Sequence, residues 1–403
     1  MTKLPSQHDL LVIGAGPSGL LAAKEAAHSG VSVTVLEEHE EIGMPGHCAG
    51  LLSIKGLKEI DVKPDSSFIQ NKVFGAIFYS PSGVSFAIRG KEAKVYVVDR
   101  AAFDKFLAEQ ASLFDVKLVL GTRVEKILFS KGAASGVLFS DGRHISSSLL
   151  IDAEGVGRSL LSRSGLERSK ITPLPALQFE LKGVEIDTDY VEIHLNRSLA
   201  PGFFIWVIPT SDNSVRVGLA GKIDVMNSLK SFVKKRFKNF EVVSIKSGMV
   251  TTSGPSKKTF WHGIIAVGDA AGQVKPTTGG GVITGGMCAR IAGDLAAEAI
   301  NSGVFSASFL KKYEVAWRSK LGKEFSTMLL ARRVINAMSD ESLEKVFQTI
   351  IQNRLTEVIE KFGDIDFQSS VLLKMATTPA VFRLLPDVFN AAVSGYFQSF
   401  LDA

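Results

Sequence analysis

Cysteine is scarce. With Cys48 and Cys288 as the pair of cysteines in 403 residues, far apart in the chain, neither a disulfide framework nor a CxxC zinc pattern can be built. A reducing, intracellular compartment and no metal site are therefore expected. Long apolar runs are also missing: no stretch reaches the roughly 18 uninterrupted apolar residues of a spanning helix. Residues 1–8 hold no signal-peptide core. The expectation is a cytoplasmic chain that touches a membrane peripherally, at its inner face, if it touches one. Neither sign of charge dominates, since 46 basic residues face 41 acidic ones for a formal net charge of +5. The basic residues are dispersed apart from Lys234-Lys235-Arg236 and Arg332-Arg333, so a nucleic-acid partner is not expected. A mild positive excess on a chain of positive mean hydropathy suits an anionic, greasy ligand or an anionic membrane surface.

What is present starts at the N-terminus. Residues 9–13 are a short apolar run of buried-strand type, broken by Gly14-Ala15-Gly16-Pro17-Ser18-Gly19. An Ala/Leu-rich helix is expected over residues 20–28, and a second strand over 31–36 ends at Glu37. Strand, glycine turn, helix, strand and acid in that order form the dinucleotide fingerprint. Gly14 suits the tight turn, Gly16 lets a pyrophosphate approach the backbone, and Gly19 lets helix and strand pack closely. Glu37 is placed to bond the ribose hydroxyls of an adenosine and to repel a 2′-phosphate.

A second segment points to the same cofactor. Residues 263–272 are a buried strand closing on Gly268-Asp269, and 274–281 end in Gly279-Gly280-Gly281 before a long small-residue helix. Asp269 is placed for a ribityl chain, and the glycine-rich helix start points N–H groups at flavin N1 and O2, where reduced flavin is anionic. The two segments together predict FAD binding.

Between them, the loop Met44-Pro45-Gly46-His47-Cys48 follows the ribose-binding strand. Cys48 reads either as a small buried hydrophobe or as a group beside the flavin, acting as proton donor, gate or shape-setting residue. Alternation over 73–79 and 84–88 around Ser80-Pro81-Ser82-Gly83 predicts a β-hairpin. Asp99-Arg100 opens a helix over 101–112, where Arg100 is either near FAD or part of a helix-start ion pair. From residue 171 to about 250 the pattern turns to strands. There Phe204, Trp206 and Ile208 share one face, which is plain core or a substrate-facing wall. Beyond about residue 306 the chain is expected to be helical, with helices over 331–338, 343–362 and 371–401, the last broken at Phe382-Arg383-Leu384-Leu385-Pro386. These form either a cap over the site or a membrane-docking surface.

Taken together, these segments resemble the geranylgeranyl reductases, of the archaeal type that saturates isoprenoid chains of membrane lipids. The points of likeness are the Gly14/Gly16/Gly19 turn with Glu37, the Cys48 loop, Asp99-Arg100, Gly268-Asp269 and Gly279–281. The most specific is Phe204-x-Trp206-x-Ile208-Pro209, where that family typically has Tyr-x-Trp-x-Phe-Pro followed by Gly-x-Gly. Phe204 and Ile208 keep the apolar wall but remove a phenol, the later glycines fall at Gly218 and Gly221, and Glu154-Gly155 stands where Asp-Gly is usual.

The resemblance implies an α/β fold like that of para-hydroxybenzoate hydroxylase. It would comprise a discontinuous Rossmann-like FAD domain (1–66, 95–170, 255–304), a sheet-based substrate domain (67–94, 171–254) and a helical C-terminal region (305–403). It also implies digeranylgeranylglycerol lipids as substrate. The catalytic candidates are then Cys48 at the reacting carbon, with Trp206 and Phe204 offering π faces to a developing cation, worth about 1–2 kcal/mol when desolvated. No second nucleotide fingerprint is visible, so the electron donor stays open between NAD(P)H and a ferredoxin.

Two rival readings remain. A flavin monooxygenase or halogenase is suggested by an approach to Trp-x-Trp-x-Ile-Pro, whose first Trp is missing here. A non-catalytic prenyl-lipid carrier of the same fold would be expected to have decayed flavin segments.

Overall fold

Leu10, Leu11 and Val12 are fully buried, because their strand, Gln7–Ile13, lies inside a sheet and not at its edge. A strand covered on both faces reads as a continuous apolar run. It pairs in parallel with His144–Asp152 on one side and Val33–Leu36 on the other. Ile264–Ala266 and Lys117–Val119 extend the parallel set outward. The structure is a computed structural model describing residues 7–46, 48–166 and 173–380.

Helices Pro17–His28 and Val282–Ser302 cover this sheet. They approach closely because the contact is lined with small residues: a Cβ on Gly293 would lie 2.5 Å from the Ala22 carbonyl oxygen. Helix Arg100–Ser112 joins the same core, which includes Phe103 and Met287. Pro17–His28 starts earlier than apolarity alone suggests, since proline at the first helical position sacrifices an N–H that has no partner there anyway.

A second, seven-stranded sheet runs Glu241–Val250, Leu174–Lys182, Ser214–Ala220, Ile205–Ser211, Tyr190–His194, Gly75–Tyr79, Ser85–Arg89. Its last two strands are the expected hairpin, in register from Gly75–Arg89 to Tyr79–Ser85. Alternation sorts the central strand. Ile205 and Val207 pack toward helix Val225–Arg236, while Trp206 and Ile208 face the other way with Phe203 and Phe204. A small third sheet joins Leu51–Ser53, Val95–Val98 and Ile69–Val73.

The C-terminal part differs from expectation in its breaks. The helix expected at 331–338 is the last part of a 31-residue helix, Ala307–Ala337, anchored by the buried Tyr313, Trp317 and Phe325. Residues 343–362 are two helices, Asp340–Gln352 and Leu355–Phe362, because Asn353 ends the first and Arg354 takes a left-handed conformation with φ +50°. The break turns the second helix onto the Ser85–Arg89 strand, where Glu360 accepts the Arg89 backbone N–H at 2.9 Å. Ser369–Ala376 is helical; the expected remainder, including residues 382–386, lies outside the described residues. Among the described residues no helix is long and apolar enough to cross a membrane.

Candidate active site

The three glycines of the first turn sit in three different surroundings. Gly14 has φ +99°, a left-handed conformation that side chains disfavour. Gly19 lies against the turn itself, its notional Cβ 1.9 Å from the Gly14 carbonyl oxygen, and it contributes no cavity surface. Gly16 has nothing within 4 Å of such a Cβ, and the same holds for Gly155 and Gly157. Gly16, Gly155 and Gly157 all line one cavity, so the open space beside them is part of it.

Glycine at two helix starts marks the same place. The helices starting at Ile54, Arg100, Val225, Ala307 and Asp340 each have a Ser or Asp side chain accepting a backbone N–H at the start. The helices starting at Pro17 and Val282 carry glycine there, Gly16 and Gly281, and no side-chain cap. Both starts line the cavity. Uncapped N–H groups and the positive ends of two helix dipoles thus face one space, an arrangement suited to phosphate and to an anionic ring edge. The residues present fit a dinucleotide with a flavin at its far end.

Glu37 directly follows strand Val33–Leu36, beside the first glycine turn. One carboxylate oxygen accepts Ala15 N–H at 2.8 Å and the other His39 N–H at 3.0 Å. Arg100 is held by Asp104, with Nη2 3.0 Å from Oδ1, and lies within hydrogen-bonding reach of Cys48. Burial works against the Arg100 charge, but Asp104 and Cys48 more than offset it and raise its pKa. Burial raises the Asp269 carboxyl, with Arg100 and Arg158 pulling the other way. Arg158 donates from Nε to the Asp269 backbone carbonyl at 3.0 Å, tying the two ends of the cradle together. Cys48 is half-buried, and its sulfur accepts the Gly50 N–H at 3.4 Å.

The sheet face completes the cavity. Its volume is about 1520 Å³, more than the roughly 300–1,000 Å³ usual for one small ligand. Cys48, Arg100, Asp269 and Gly279–281 line it, and so do Phe204, Trp206 and Ile208. Phe204 stacks on Phe203 with centroids 4.2 Å apart and meets Trp206 edge-on at 6.2 Å. The indole N–H of Trp206 donates to Gln178 Oε1 at 3.0 Å. Gly14, Gly16, Glu37, Cys48, Arg100, Phe204, Trp206, Asp269 and Gly279–281 therefore border one space, whereas Gly19, Asp99, Gly218 and Gly268 lie behind it.

Other residues of the site carried no signal in the sequence. Gln178 is 3% exposed and is fixed by its pairing with Trp206. Lys275, in the glycine-rich loop, donates to Asp366 Oδ1 at 2.6 Å in a pair buried to 8% and 2% side-chain exposure. Asp366 also accepts from Ser53, so the loop is latched to the C-terminal region across 91 residues of sequence. Arg332, 5% exposed, borders the cavity beside Phe203. Burial pushes its pKa down to about 10, still charged at neutral pH.

A family model described as FAD dependent oxidoreductase matches residues 9–192, and one described as geranylgeranyl reductase catalytic domain matches residues 174–250. The protein is thus an FAD-dependent oxidoreductase. The digeranylgeranylglycerophospholipid reductase 2 of Methanothermobacter thermautotrophicus is 31% identical, over 95% of this chain and 100% of that one. The digeranylgeranylglycerophospholipid reductase of Methanocaldococcus jannaschii is 30% identical over 96% and 100%. The chain belongs to the digeranylgeranylglycerophospholipid reductase family. Among solved structures, a geranylgeranyl bacteriochlorophyll reductase-like protein from Thermoplasma acidophilum superposes with a TM-score of 0.84 at 26% identity, covering 95% of this chain and 99% of that one. A flavin-dependent brominase shares the fold, with a TM-score of 0.71 at 20% identity over 95% and 99%.

Proposed function

We propose that this protein saturates carbon–carbon double bonds in the geranylgeranyl chains of isoprenoid membrane lipids, with digeranylgeranylglycerol lipids as substrate. The observation that carries this reading is the continuity of one cavity from the glycine cradle to the aromatic wall of Trp206 and Phe204. A hydrocarbon chain laid on that wall would reach the end of the cradle where the isoalloxazine belongs.

Bound FAD, once reduced, supplies the hydride from N5. The chain's own residues supply position, dryness and proton handling. The N–H groups at Gly16 and at the start of Val282–Ser302 hold the anionic parts of the cofactor, Glu37 the adenosine ribose, and Asp269 the ribityl chain. Gly279, Gly280 and Gly281 let the loop pack against Val250, Lys275 and Asp269, whose side chains take the space a Cβ would need, and the uncapped start of helix Val282–Ser302 would turn its N–H groups to the pyrimidine edge of the ring. Arg100, fixed by Asp104, faces the same region.

An isolated trisubstituted alkene has no carbonyl to store the charge that a hydride brings. A proton must therefore arrive before or together with the hydride, and the tertiary carbon takes on cationic character. The apolar wall excludes water that would trap such a cation. The π faces of Trp206 and Phe204 stabilise it by about 1–2 kcal/mol in a desolvated site. Cys48, next to Arg100, is our candidate for the group at the reacting carbon. One hydride and one proton are added per double bond, and two electrons from outside, as one hydride from a nicotinamide or as two single-electron transfers from ferredoxin, would restore the flavin. A lipid substrate in a chain without a spanning helix among its described residues fits peripheral contact with the cytoplasmic face of a membrane.

The test is product mass. Enzyme reduced with dithionite under argon and given a geranylgeranyl lipid should return the lipid heavier by two hydrogens for each bond saturated. Unchanged lipid, with the flavin consuming oxygen once air is admitted, would instead favour the oxygenase or halogenase reading.

A further inference from the structure

Arg332 is a buried cation with no anion beside it among the described residues. Its guanidinium lies over the Phe203 ring, 4.6 Å from the centroid, and Nη2 donates to the Gly202 carbonyl. Nε is buried without an acceptor, and no carboxylate among the described residues acts on its charge. Other inward-facing arginines have a carboxylate acting with them: Arg100 pairs with Asp104 and Arg216 with Glu180, and Arg158, bonded to the Asp269 carbonyl and Ser256, acts on the Asp269 carboxyl. Helix Ala307–Ala337 meets the cavity through Ala331, Arg332 and Ile335 alone, so an apolar side chain at 332 would satisfy the packing. A buried guanidinium without a counter-charge is costly, and an anion entering the cavity would relieve that cost.

The placement narrows what arrives. Phe203 Cζ lies 3.5 Å from the position of a Cβ on Gly279. One aromatic ring therefore separates the guanidinium from the flavin-side loop. We propose that Arg332 is an oxyanion-binding residue of this cavity, its fork of donors taking phosphate oxygens that a ligand carries in. The proposal rests on the reductase reading, under which two ligands besides FAD can carry phosphate to this cavity: the lipid through its head group and a nicotinamide dinucleotide donor.

The experiment uses the full-length, flavin-loaded protein with Arg332→Gln and Arg332→Lys, flavin content and Tm serving as controls on folding. Three measurements are made: calorimetric binding of inorganic pyrophosphate, turnover of geranylgeranyl phosphate against geranylgeraniol with dithionite as reductant, and flavin reduction by NADPH and NADH without lipid. Arg332→Gln should weaken pyrophosphate and one phosphate-bearing ligand by about 10- to 100-fold in Kd or KM. Geranylgeraniol should change by less than about twofold, and Arg332→Lys should recover part of the loss. A selective effect on geranylgeranyl phosphate assigns the oxyanion to the lipid, and a selective effect on the dinucleotides assigns it to the donor. Equal losses for geranylgeraniol and its phosphate, or unchanged binding of all three phosphate-bearing probes, would overturn the proposal. If Arg332→Gln does not hold flavin, Arg332→Lys carries the same comparison. If wild-type protein reduces no prenyl lipid, the reductase reading fails, while the pyrophosphate and dinucleotide measurements still decide the role of Arg332.

Discussion

Trp206 stands where a side chain on Gly218 would have to be: a Cβ there would lie 2.4 Å from Trp206 Cζ2. The two residues face each other across neighbouring antiparallel strands. The glycine after the Trp-x-Ile-Pro stretch is thus the floor on which the indole lies, and Gln178 fixes its rotation from the next strand.

Gly218→Ala should therefore tilt the indole into the cavity. Overpacking of this kind costs about 1–3 kcal/mol of stability, and turnover of the prenyl lipid should fall much further than flavin content. Unfolding curves and single-turnover rates on the same preparation separate the two effects.

Gln178→Leu removes the acceptor of the Trp206 N–H and leaves a buried donor unsatisfied, a loss of about 1–3 kcal/mol. The expected signature is a lower kcat with unchanged FAD affinity, and Gln178→Glu, which keeps an acceptor, should retain more activity. Equal loss of bound flavin would show that Gln178 is general scaffold.

At the other end of the cradle, Glu37→Gln replaces a carboxylate that accepts from Ala15 and His39 with an amide that can satisfy one such donor. FAD affinity should drop by about 10- to 100-fold, read by titrating the deflavinated protein. An unchanged Kd would remove Glu37 from the ribose site.

The Lys275–Asp366 pair ties the glycine-rich loop to the C-terminal region. Lys275→Met leaves Asp366 buried without its cation, and breaking such a pair costs about 3–5 kcal/mol. The double substitution Lys275→Met with Asp366→Leu should recover much of that. A thermodynamic cycle from denaturant unfolding measures the coupling.

Glu192 gives the chain an acid-sensitive contact. Burial pushes its carboxyl up, but bonds from His194 and Arg236 outweigh burial and hold its pKa below the ordinary value of 4.5. A carboxyl depressed in the folded state stabilises above its unfolded pKa, and that contribution fades as pH falls through the folded one. Between about pH 5 and pH 3, wild-type stability should fall more steeply than that of Glu192→Gln, as urea midpoints across that range would record.

The sequence made the FAD half of the site legible because its demands are local. A turn at Gly14, a close approach at Gly19 and an acid at the end of the next strand leave marks within 30 residues. Trp206 and Phe204 were visible through alternation along one strand. Gln178, Lys275 and Arg332 were not, because their roles exist through partners distant in the chain: Trp206, Asp366 and Phe203. The helix break at Asn353 and Arg354 was missed for a similar reason. Apolar spacing continues through it, and the packing of Leu355–Phe362 on the Ser85–Arg89 strand favours the turn.

The central claim is that reduced flavin in this cavity passes its hydride to a prenyl chain and not to oxygen. Anaerobic stopped-flow absorbance, with dithionite-reduced protein mixed against a geranylgeranyl lipid in oxygen-free buffer, tests it directly. The account predicts return of the oxidised-flavin spectrum in step with lipid added, slowed in Gly218→Ala. A spectrum that stays reduced until oxygen enters would contradict it.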